Sequence, residues 1–161
     1  MGDMKVGKTS LYLRYFKNSI DTFEYHLEFS FKVLNVSNQM VKLLVWDLYD
    51  FRQIRAPSLF QGANGFFVVF DLSQRETFRR LQHWREVIER YAPPQPSVLL
   101  VGNKADLERK VSREEAQKLA EEWKWEYVET SVLGDTSAVS SLFTKMAEQL
   151  NANTAIEVLE N

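Results

Sequence analysis

Two patterns of hydrophobic residues follow each other along this chain. From Leu27 apolar and polar residues alternate, with Phe29, Phe31 and Val33 on one face, and a polar turn then leads into the apolar run MVKLLVWD. This period of two predicts a β-hairpin. Further along, the runs FFVVFDL and VLLV have no polar face. Such runs are typical of strands that are buried on both sides within a parallel sheet.

Helical spacing fills the stretches between these strands. The segment 9–17, TSLYLRYFK, predicts a short first helix. Ser73 and Glu76 have the spacing of a capping box, and apolar residues then recur at helical intervals until Pro93. We therefore expect a helix between the two buried strands.

The alternation continues to the end of the chain. Ser112 and Glu115 form a second capping-box pattern ahead of another helix. A strand is expected at 126–130 and a last helix at 138–150, whereas the polar tail at 153–161 is expected to fray. The series predicts an α/β fold, a mainly parallel sheet with helices on both faces.

Composition narrows the class of protein. The 161 residues are 45% hydrophobic, which suffices for the core of one domain, placed at 1–152. A balance of 20 Lys and Arg against 22 Asp and Glu gives a formal net charge of −2, so the bulk charge does not favour nucleic acid as a partner. The chain has no cysteine, and no apolar run approaches the roughly 18 residues that span a bilayer. We expect a soluble, cytoplasmic protein.

The first ten residues, MGDMKVGKTS, contain a glycine-rich loop pattern. Gly2 to Thr9 fit G-x-x-x-x-G-K-[ST], in which backbone N–H groups surround nucleotide phosphates at the N-terminus of a helix. Such a loop normally follows a buried strand, and only Met1 precedes it here. Either the match is accidental, with Gly2 as a terminal spacer, or the strand that should hold the loop is absent.

Two polar stretches come after predicted strands, at the strand ends where open α/β sheets bind ligands. Asp47 follows the hairpin, where its carboxylate could reach a phosphate-bound Mg²⁺, although an ordinary turn residue is the alternative. Asn103, Lys104 and Asp106 form N-K-x-D after the strand VLLVG. The carboxylate of Asp106 could accept hydrogen bonds from two guanine donors that adenine lacks. This stretch predicts guanine selectivity, with a polar turn as the alternative.

A further stretch, ETSV at 129–132, closes the next predicted strand. Backbone N–H groups there, at Ser131 and Val132, could bind the base oxygen. The stretch lies at the same edge of the sheet as the N-K-x-D residues, so it extends the candidate base site.

In this order and spacing, GDMKVGKTS, WDLYD, LVGNKADL and ETSV resemble the small GTPases of the Ras superfamily, and FQGANGFFVVFDLSQRETFRRLQHW is most similar to the Rab branch. The resemblance covers nearly the whole chain. It implies the P-loop NTPase fold of the small GTPases, with GTP or GDP and Mg²⁺ as cofactors. It also implies Lys8 on the β- and γ-phosphates, and Thr9 and Asp47 as Mg²⁺ ligands. The nucleotide-binding positions that it implies are Gly2, Met4, Lys5, Val6, Gly7, Lys8, Thr9, Ser10, Asn103, Lys104, Asp106, Ser131 and Val132.

The chain departs from the family where the γ-phosphate is sensed and cleaved. The family's W-D-T-A-G-Q is replaced here by WDLYDF, with Asp50 at the glycine and Phe51 at the glutamine that orients the attacking water. A phenyl ring cannot orient water, and a carboxylate repels phosphate unless it points into solvent. Met4 and Lys5 add bulk beside the same site. We assign no catalytic residue and expect impaired hydrolysis.

The segment that corresponds to the family's first switch also lacks the threonine that is typical of the family. The threonine with which the family binds Mg²⁺ falls on His26 or Leu27, depending on the register, and Thr22 lies too far upstream. The aromatic residue that packs on guanine is ambiguous between Ile20 and Phe23. The resemblance is therefore strongest for the base and the loop, and weakest for the switches.

Two readings of the function remain. The first is a Rab-like regulator of vesicle trafficking that binds effector and regulator proteins through the switch region and reaches endomembranes through partners. The second is a degenerate GTPase-fold interaction module that binds nucleotide weakly or not at all. N-K-x-D disfavours a P-loop kinase or ATPase. The family's first central strand has no counterpart before Gly2, and a prenyl anchor needs a cysteine, so we expect a truncated chain without a membrane anchor.

Overall fold

The computed structural model describes residues 1–20, 28–47 and 58–160. Strands and helices alternate over most of that length, as predicted. The elements are α1 (Lys8–Lys17), β1 (Glu28–Val36), β2 (Gln39–Asp47), α2 (Ser58–Gln61), β3 (Gly65–Asp71), α3 (Arg75–Arg79), α4 (Leu81–Tyr91), β4 (Ser97–Asn103), α5 (Arg113–Trp123), β5 (Glu126–Glu129) and α6 (Thr136–Glu160).

The strands form two separate sheets. β1 and β2 pair as an antiparallel hairpin, in which Val36 faces Gln39 across a turn whose two residues, Ser37 and Asn38, have positive φ. β3, β4 and β5 form a parallel sheet in that order. Within the described ranges no ladder joins the hairpin to the parallel sheet. The predicted α/β class is confirmed, with a gap between β2 and β3.

The hydrophobic core lies on both faces of the parallel sheet. Val68 and Phe70 of β3 pack in the cluster that contains the buried residues of α4 and α5. Val69 points to the opposite face, where it shares a cluster with Leu11 of α1 and Leu142 of α6. β4 is buried at every position, as its continuous apolar run predicted. Helices therefore cover both faces of the sheet.

One of the two predicted capping boxes is wrong. Ser112 caps α5 as expected, with its hydroxyl accepting from the N–H of Glu115 at 3.1 Å. Ser73 instead donates its hydroxyl to the carboxylate of Asp71 at 2.6 Å, and α3 begins two residues later. Asp71 is almost fully buried. Because a buried carboxylate needs hydrogen-bond donors, it takes the serine away from the helix.

The tail is also more regular than predicted. The backbone of α6 continues as one helix of 25 residues to Glu160. No glycine or proline follows Thr136, so nothing in the sequence stops the helix. Asn153 also donates to the hydroxyl of Ser97 at 2.9 Å, which fixes the helix beside β4. No helix in the described part of the chain is both long and apolar enough to cross a lipid bilayer.

The hairpin presents its apolar face outward. Phe29, Phe31 and Val33 are each at least half exposed. The polar face turns to α1 instead: the hydroxyls of Ser30 and Tyr12 lie 2.7 Å apart. The alternation thus predicted the hairpin correctly, but the side that covers the core is the one with the polar positions.

Candidate functional site

Close contacts leave room only for glycine at both glycine positions of the loop. Gly2 and Gly7 have φ values of 136° and 97°, which favour glycine. A Cβ atom at Gly2 would lie closer than 3.0 Å to the carbonyl oxygen of Val69, and one at Gly7 equally close to the amide nitrogen of Asn103. The loop therefore packs directly on the ends of β3 and β4. Gly7 stands at the N-cap of α1, so the helix begins at the end of the loop.

A single residue connects the loop to the parallel sheet along the edge of β3. The carbonyl of Met1 accepts from the N–H of Val69 at 2.8 Å, and the Met1 nitrogen donates to the carbonyl of Phe67. These two bonds make a parallel ladder position opposite Val68. This contact gives the loop the anchor that a preceding strand supplies in other P-loop proteins.

Lys8 and Asp3 order the interior of the loop. The Lys8 ammonium donates to the carbonyls of Gly2, at 2.9 Å, and Asp3, at 2.6 Å. The Asp3 carboxylate accepts from the indole N–H of Trp84 at 2.9 Å, and Arg80 lies 3.5 Å away. The start of α4 therefore holds the loop. Sequence reasoning missed Trp84 and Asp3 because a pair 81 residues apart leaves no local pattern.

Asn103 joins the loop to the candidate base site. Its fully buried side chain donates to the carbonyl of Val6 at 2.8 Å. Within the described residues its amide oxygen has no hydrogen-bond partner, and neither does the hydroxyl of Thr130. Buried polar atoms without partners are rare in folded proteins. The orphaned groups at the end of β4 and β5 fit a site that is completed by a bound molecule.

The structure brings two of the remaining candidate base-site residues together. The carboxylate of Asp106 accepts from the hydroxyl of Ser131, which brings the N-K-x-D and ETSV stretches together. Lys104 has a positive φ of 63° and forms an ion pair with Asp71 at 2.6 Å. Val132 packs its side chain against the cluster of α1 and α6. The exposed Asp106 carboxylate is thus held in place beside the strand ends.

Two carboxylates support these loops, the buried Asp71 and the partly buried Glu129. Burial by itself would raise the pKa of Asp71, but hydrogen bonds from Lys104 and Ser73 outweigh it and hold that pKa below its usual value. Two bonds from Arg109, at 2.9 and 2.8 Å, lower the pKa of Glu129. Burial raises the pKa of Tyr127, whose hydroxyl donates to Glu129. Both carboxylates are therefore ionised and paired near neutral pH.

We expect Asp71→Asn to destabilise the protein at pH 7 and to reduce its acid sensitivity. The folded pKa lies below the unfolded value of about 3.9, so the ionised carboxylate stabilises the fold above that value and loses this effect as the pH falls through the folded pKa. The loss at pH 7 should be about 1 to 3 kcal/mol. Urea unfolding at pH 7 and pH 3.5 measures it. Glu108→Gln, at an exposed site, is the control, and an equal deficit at both pH values would contradict the assignment.

The two predicted metal ligands, Asp47 and Thr9, lie at the end of β2 and in the first turn of α1. Asp47 is buried at the end of β2, and it lines the same cavity as Lys8, one residue before Thr9. In the ranges that the structure describes, no group of three or more His, Asp or Glu residues is placed to hold a metal ion by itself. The residues fit a Mg²⁺ that is held mainly by phosphate oxygens and water. That Thr9 and Asp47 ligate it stays a prediction.

Most switch positions lie outside the described residues. This applies to Thr22, Phe23, His26, Leu27, Asp50 and Phe51. Ile20, the other candidate for packing on guanine, is about half exposed at the end of the segment after α1.

A glycine loop that is hydrogen-bonded to an N-K-x-D asparagine, on a parallel sheet covered by helices, defines a P-loop protein of the small GTPase class. The sequence model of the Ras family matches residues 1–152, so the chain belongs to that family.

Similar proteins place it with the Rab branch, as predicted. Rab-11B of Dictyostelium discoideum is 33% identical over 91% of this chain and 69% of its own length. Rab-1D of the same organism is 34% identical over 93% of this chain and 76% of its own. The GTP-binding protein YPT1 of Saccharomyces cerevisiae shows the same identity and coverage.

Proposed function

We propose that this chain is a Rab-like guanine-nucleotide-binding protein that regulates vesicle trafficking, with GTP or GDP and Mg²⁺ at the loop. The observation that carries the proposal is the hydrogen bond from the buried Asn103 to the carbonyl of Val6. It connects the phosphate end of the site to the base end. Asp106, held by Ser131 at that base end, supports guanine as the base.

Each loop residue has a defined task in this proposal. The backbone N–H groups from Lys5 to Ser10 surround the phosphates at the start of α1, where the helix dipole favours negative charge. The Lys8 ammonium exchanges its bonds to the carbonyls of Gly2 and Asp3 for bonds to phosphate oxygens. Mg²⁺ would supply positive charge beside the phosphates when bound. Met4 and Lys5, both exposed, lie at the open side of the loop.

The decisive experiment identifies the nucleotide that the protein carries. The purified chain is denatured, and the released small molecules are separated by chromatography. We expect GDP or GTP, and we expect none from Lys8→Ala, which removes the phosphate contact. Adenine nucleotide in place of guanine nucleotide would contradict the proposal.

We expect intrinsic GTP hydrolysis at or below about 10⁻⁴ per second, the slow end for unassisted GTPases. The reason is the sequence WDLYDF, in which Asp50 and Phe51 replace the glycine and the glutamine of the family. Single-turnover assays with radiolabelled GTP measure the rate. Phe51→Gln alone should recover little, because Asp50 and the first switch are unchanged. Rapid cleavage by the unmodified chain would show that another residue positions the water.

The second candidate function, an interaction module that binds nucleotide weakly or not at all, is favoured by the exposed face of the hairpin. Phe29 pairs with Trp46 across the two strands, with ring centroids 4.8 Å apart, and Phe31 pairs with Leu44. All four side chains are at least 40% exposed. Contiguous exposed apolar residues of this kind mark protein-binding surfaces. We propose that effector or regulator proteins bind here, and chromatography without any nucleotide would favour this second function.

A further inference from the structure

The lysine of the N-K-x-D stretch, Lys104, has a strained backbone between two residues with different partners. Its φ of 63° lies in the left-handed region, which residues other than glycine keep only when their surroundings hold them there. Before it, Asn103 donates to the carbonyl of Val6 in the glycine loop. After it, Asp106 accepts from Ser131. The turn at Lys104 therefore separates the residue that holds the loop from the candidate base residue.

The side chain of Lys104 is bonded to the neighbouring strand. Asp71 ends β3 and is the register partner of Asn103 at the end of β4. The Lys104 ammonium lies 2.6 Å from Oδ2 of Asp71. The Asp71 side chain is only 4% exposed, against 31% for that of Lys104. The lysine side chain therefore crosses the strand ends from β4 to β3 and ends on a buried carboxylate.

The turn after β3 fixes the orientation of this carboxylate. Its other oxygen, Oδ1, accepts from the backbone N–H of Ser73 at 2.8 Å and from the Ser73 hydroxyl at 2.6 Å. The N–H of Asp71 donates to the hydroxyl of Thr77 at 3.0 Å. One oxygen thus belongs to the turn, and the other is directed to Lys104.

The two neighbours together require a carboxylate at position 71. The backbone N–H of Ser73 and the Lys104 ammonium can only donate, and they contact different oxygens. A carboxamide has one acceptor oxygen, so its NH₂ group would face one of these donors. Asparagine closes turns of this kind with that single oxygen. The second acceptor at position 71 is therefore required by Lys104 and not by the turn.

We propose that Asp71 is a positioning residue for guanine-nucleotide binding, because it holds Lys104 in the left-handed conformation. The inference rests on the function proposed above. With Lys104 held, Asn103 stays directed to the loop and Asp106 to the base. Without the bond, Lys104 relaxes to a commoner backbone conformation, which moves Asp106 out of place and lets the nucleotide leave sooner.

The test compares the release of GDP from variants of the full chain, measured by displacing a fluorescent GDP analogue with excess GDP. Asp71→Asn should release GDP about tenfold faster, because the base residue loses its position. Ser73→Ala is the matched control. It removes one bond from the same carboxylate but keeps the Ser73 N–H and Lys104 in place, so release should be unchanged.

A second background keeps the test valid if Asp71→Asn alone folds poorly. Glycine adopts positive φ without strain, so Lys104→Gly no longer needs the bond to Asp71. Adding Asp71→Asn to Lys104→Gly should therefore have no further effect on GDP release. A merely structural role would instead lower the melting midpoints of Asp71→Asn and Ser73→Ala without any difference in release.

Amide exchange gives a measurement that does not depend on nucleotide. The N–H of Ala105, the residue after the turn, donates to the carbonyl of Thr130 at 3.1 Å. It should exchange about tenfold faster in Asp71→Asn, because the turn before it is released. The amide of Val101 within β4 is the internal control and should change little.

Four outcomes overturn the proposal. Asp71→Asn releases GDP at the unmodified rate, or Ser73→Ala accelerates release equally, or Asp71→Asn still accelerates release in the Lys104→Gly background, or exchange at Ala105 is unchanged. The exchange measurements are made with and without GDP and Mg²⁺. A chain that binds no guanine nucleotide overturns the proposed function and with it the role in release, whereas the Ala105 amide still reports whether Asp71 holds the turn.

Discussion

The chain is expected to bind GDP at least about a thousandfold more tightly than ADP, because a site that pairs with a polar group strongly rejects an analogue that lacks it. Asp106 is the residue responsible. Its carboxylate is exposed and is oriented by the hydroxyl of Ser131. Guanine offers it two N–H donors, whereas bound adenine would displace water from the carboxylate without supplying donors in its place, which is unfavourable by several kcal/mol in total.

Asp106→Asn should shift the preference from guanine to xanthine nucleotides, because the substitution replaces an acceptor by a donor. Competition titration with GDP, ADP and xanthosine diphosphate measures the shift. Asp135→Asn is a matched control, since Asp135 caps its own turn through Ser137 and has no part in the base site. Equal affinity of the unmodified chain for GTP and ATP would remove the GTPase assignment.

Asn103→Ala should weaken both the fold and nucleotide binding. The substitution leaves the carbonyl of Val6 without the donor that now bonds it at 2.8 Å, and loss of a buried partner costs about 1 to 3 kcal/mol of stability. It also separates the loop from β4. We expect GDP affinity to fall about a hundredfold or more, since both ends of the nucleotide site lose their position relative to each other.

Thr130→Val is the matched control for Asn103→Ala. Its hydroxyl is buried at the same strand ends but has no hydrogen-bond partner among the described residues, so an isosteric apolar side chain should change the free energy of unfolding by less than about 1 kcal/mol. Urea unfolding measures both variants, and isothermal titration measures the GDP affinity of Asn103→Ala. Equal losses for the two substitutions would mean that burial, and not the bond to Val6, explains the effect.

Local patterns predicted the parts of this protein that depend on neighbouring residues. The N-K-x-D stretch and the glycine loop were recognisable because each is continuous in sequence, and the parallel strands because buried runs have no polar face. The contact of Asp3 with Trp84 was not predictable, since it depends on where α4 begins in space. At Ser73 the local spacing matched a capping box, but the prediction failed because the hydroxyl donates to the buried carboxylate of Asp71 instead.

The sequence did not determine which face of the hairpin covers the core, for a related reason. Alternation shows that a strand has two different faces, but it does not show which one covers the core. Here Ser30 and Lys32 face α1, where a hydroxyl and a backbone carbonyl satisfy them. Polar partners on α1 therefore determine which face of the hairpin packs on the core.

The division into two sheets gives this protein two units of different cooperativity. β3, β4 and β5 share one ladder, whereas the hairpin is attached through side chains, with Leu43 buried against α1 and α6 and Lys32 bonded to Tyr15. Units with few shared backbone bonds open at lower free energy than the central sheet. We therefore expect the hairpin to open at a lower free energy than the parallel sheet that carries Asn103.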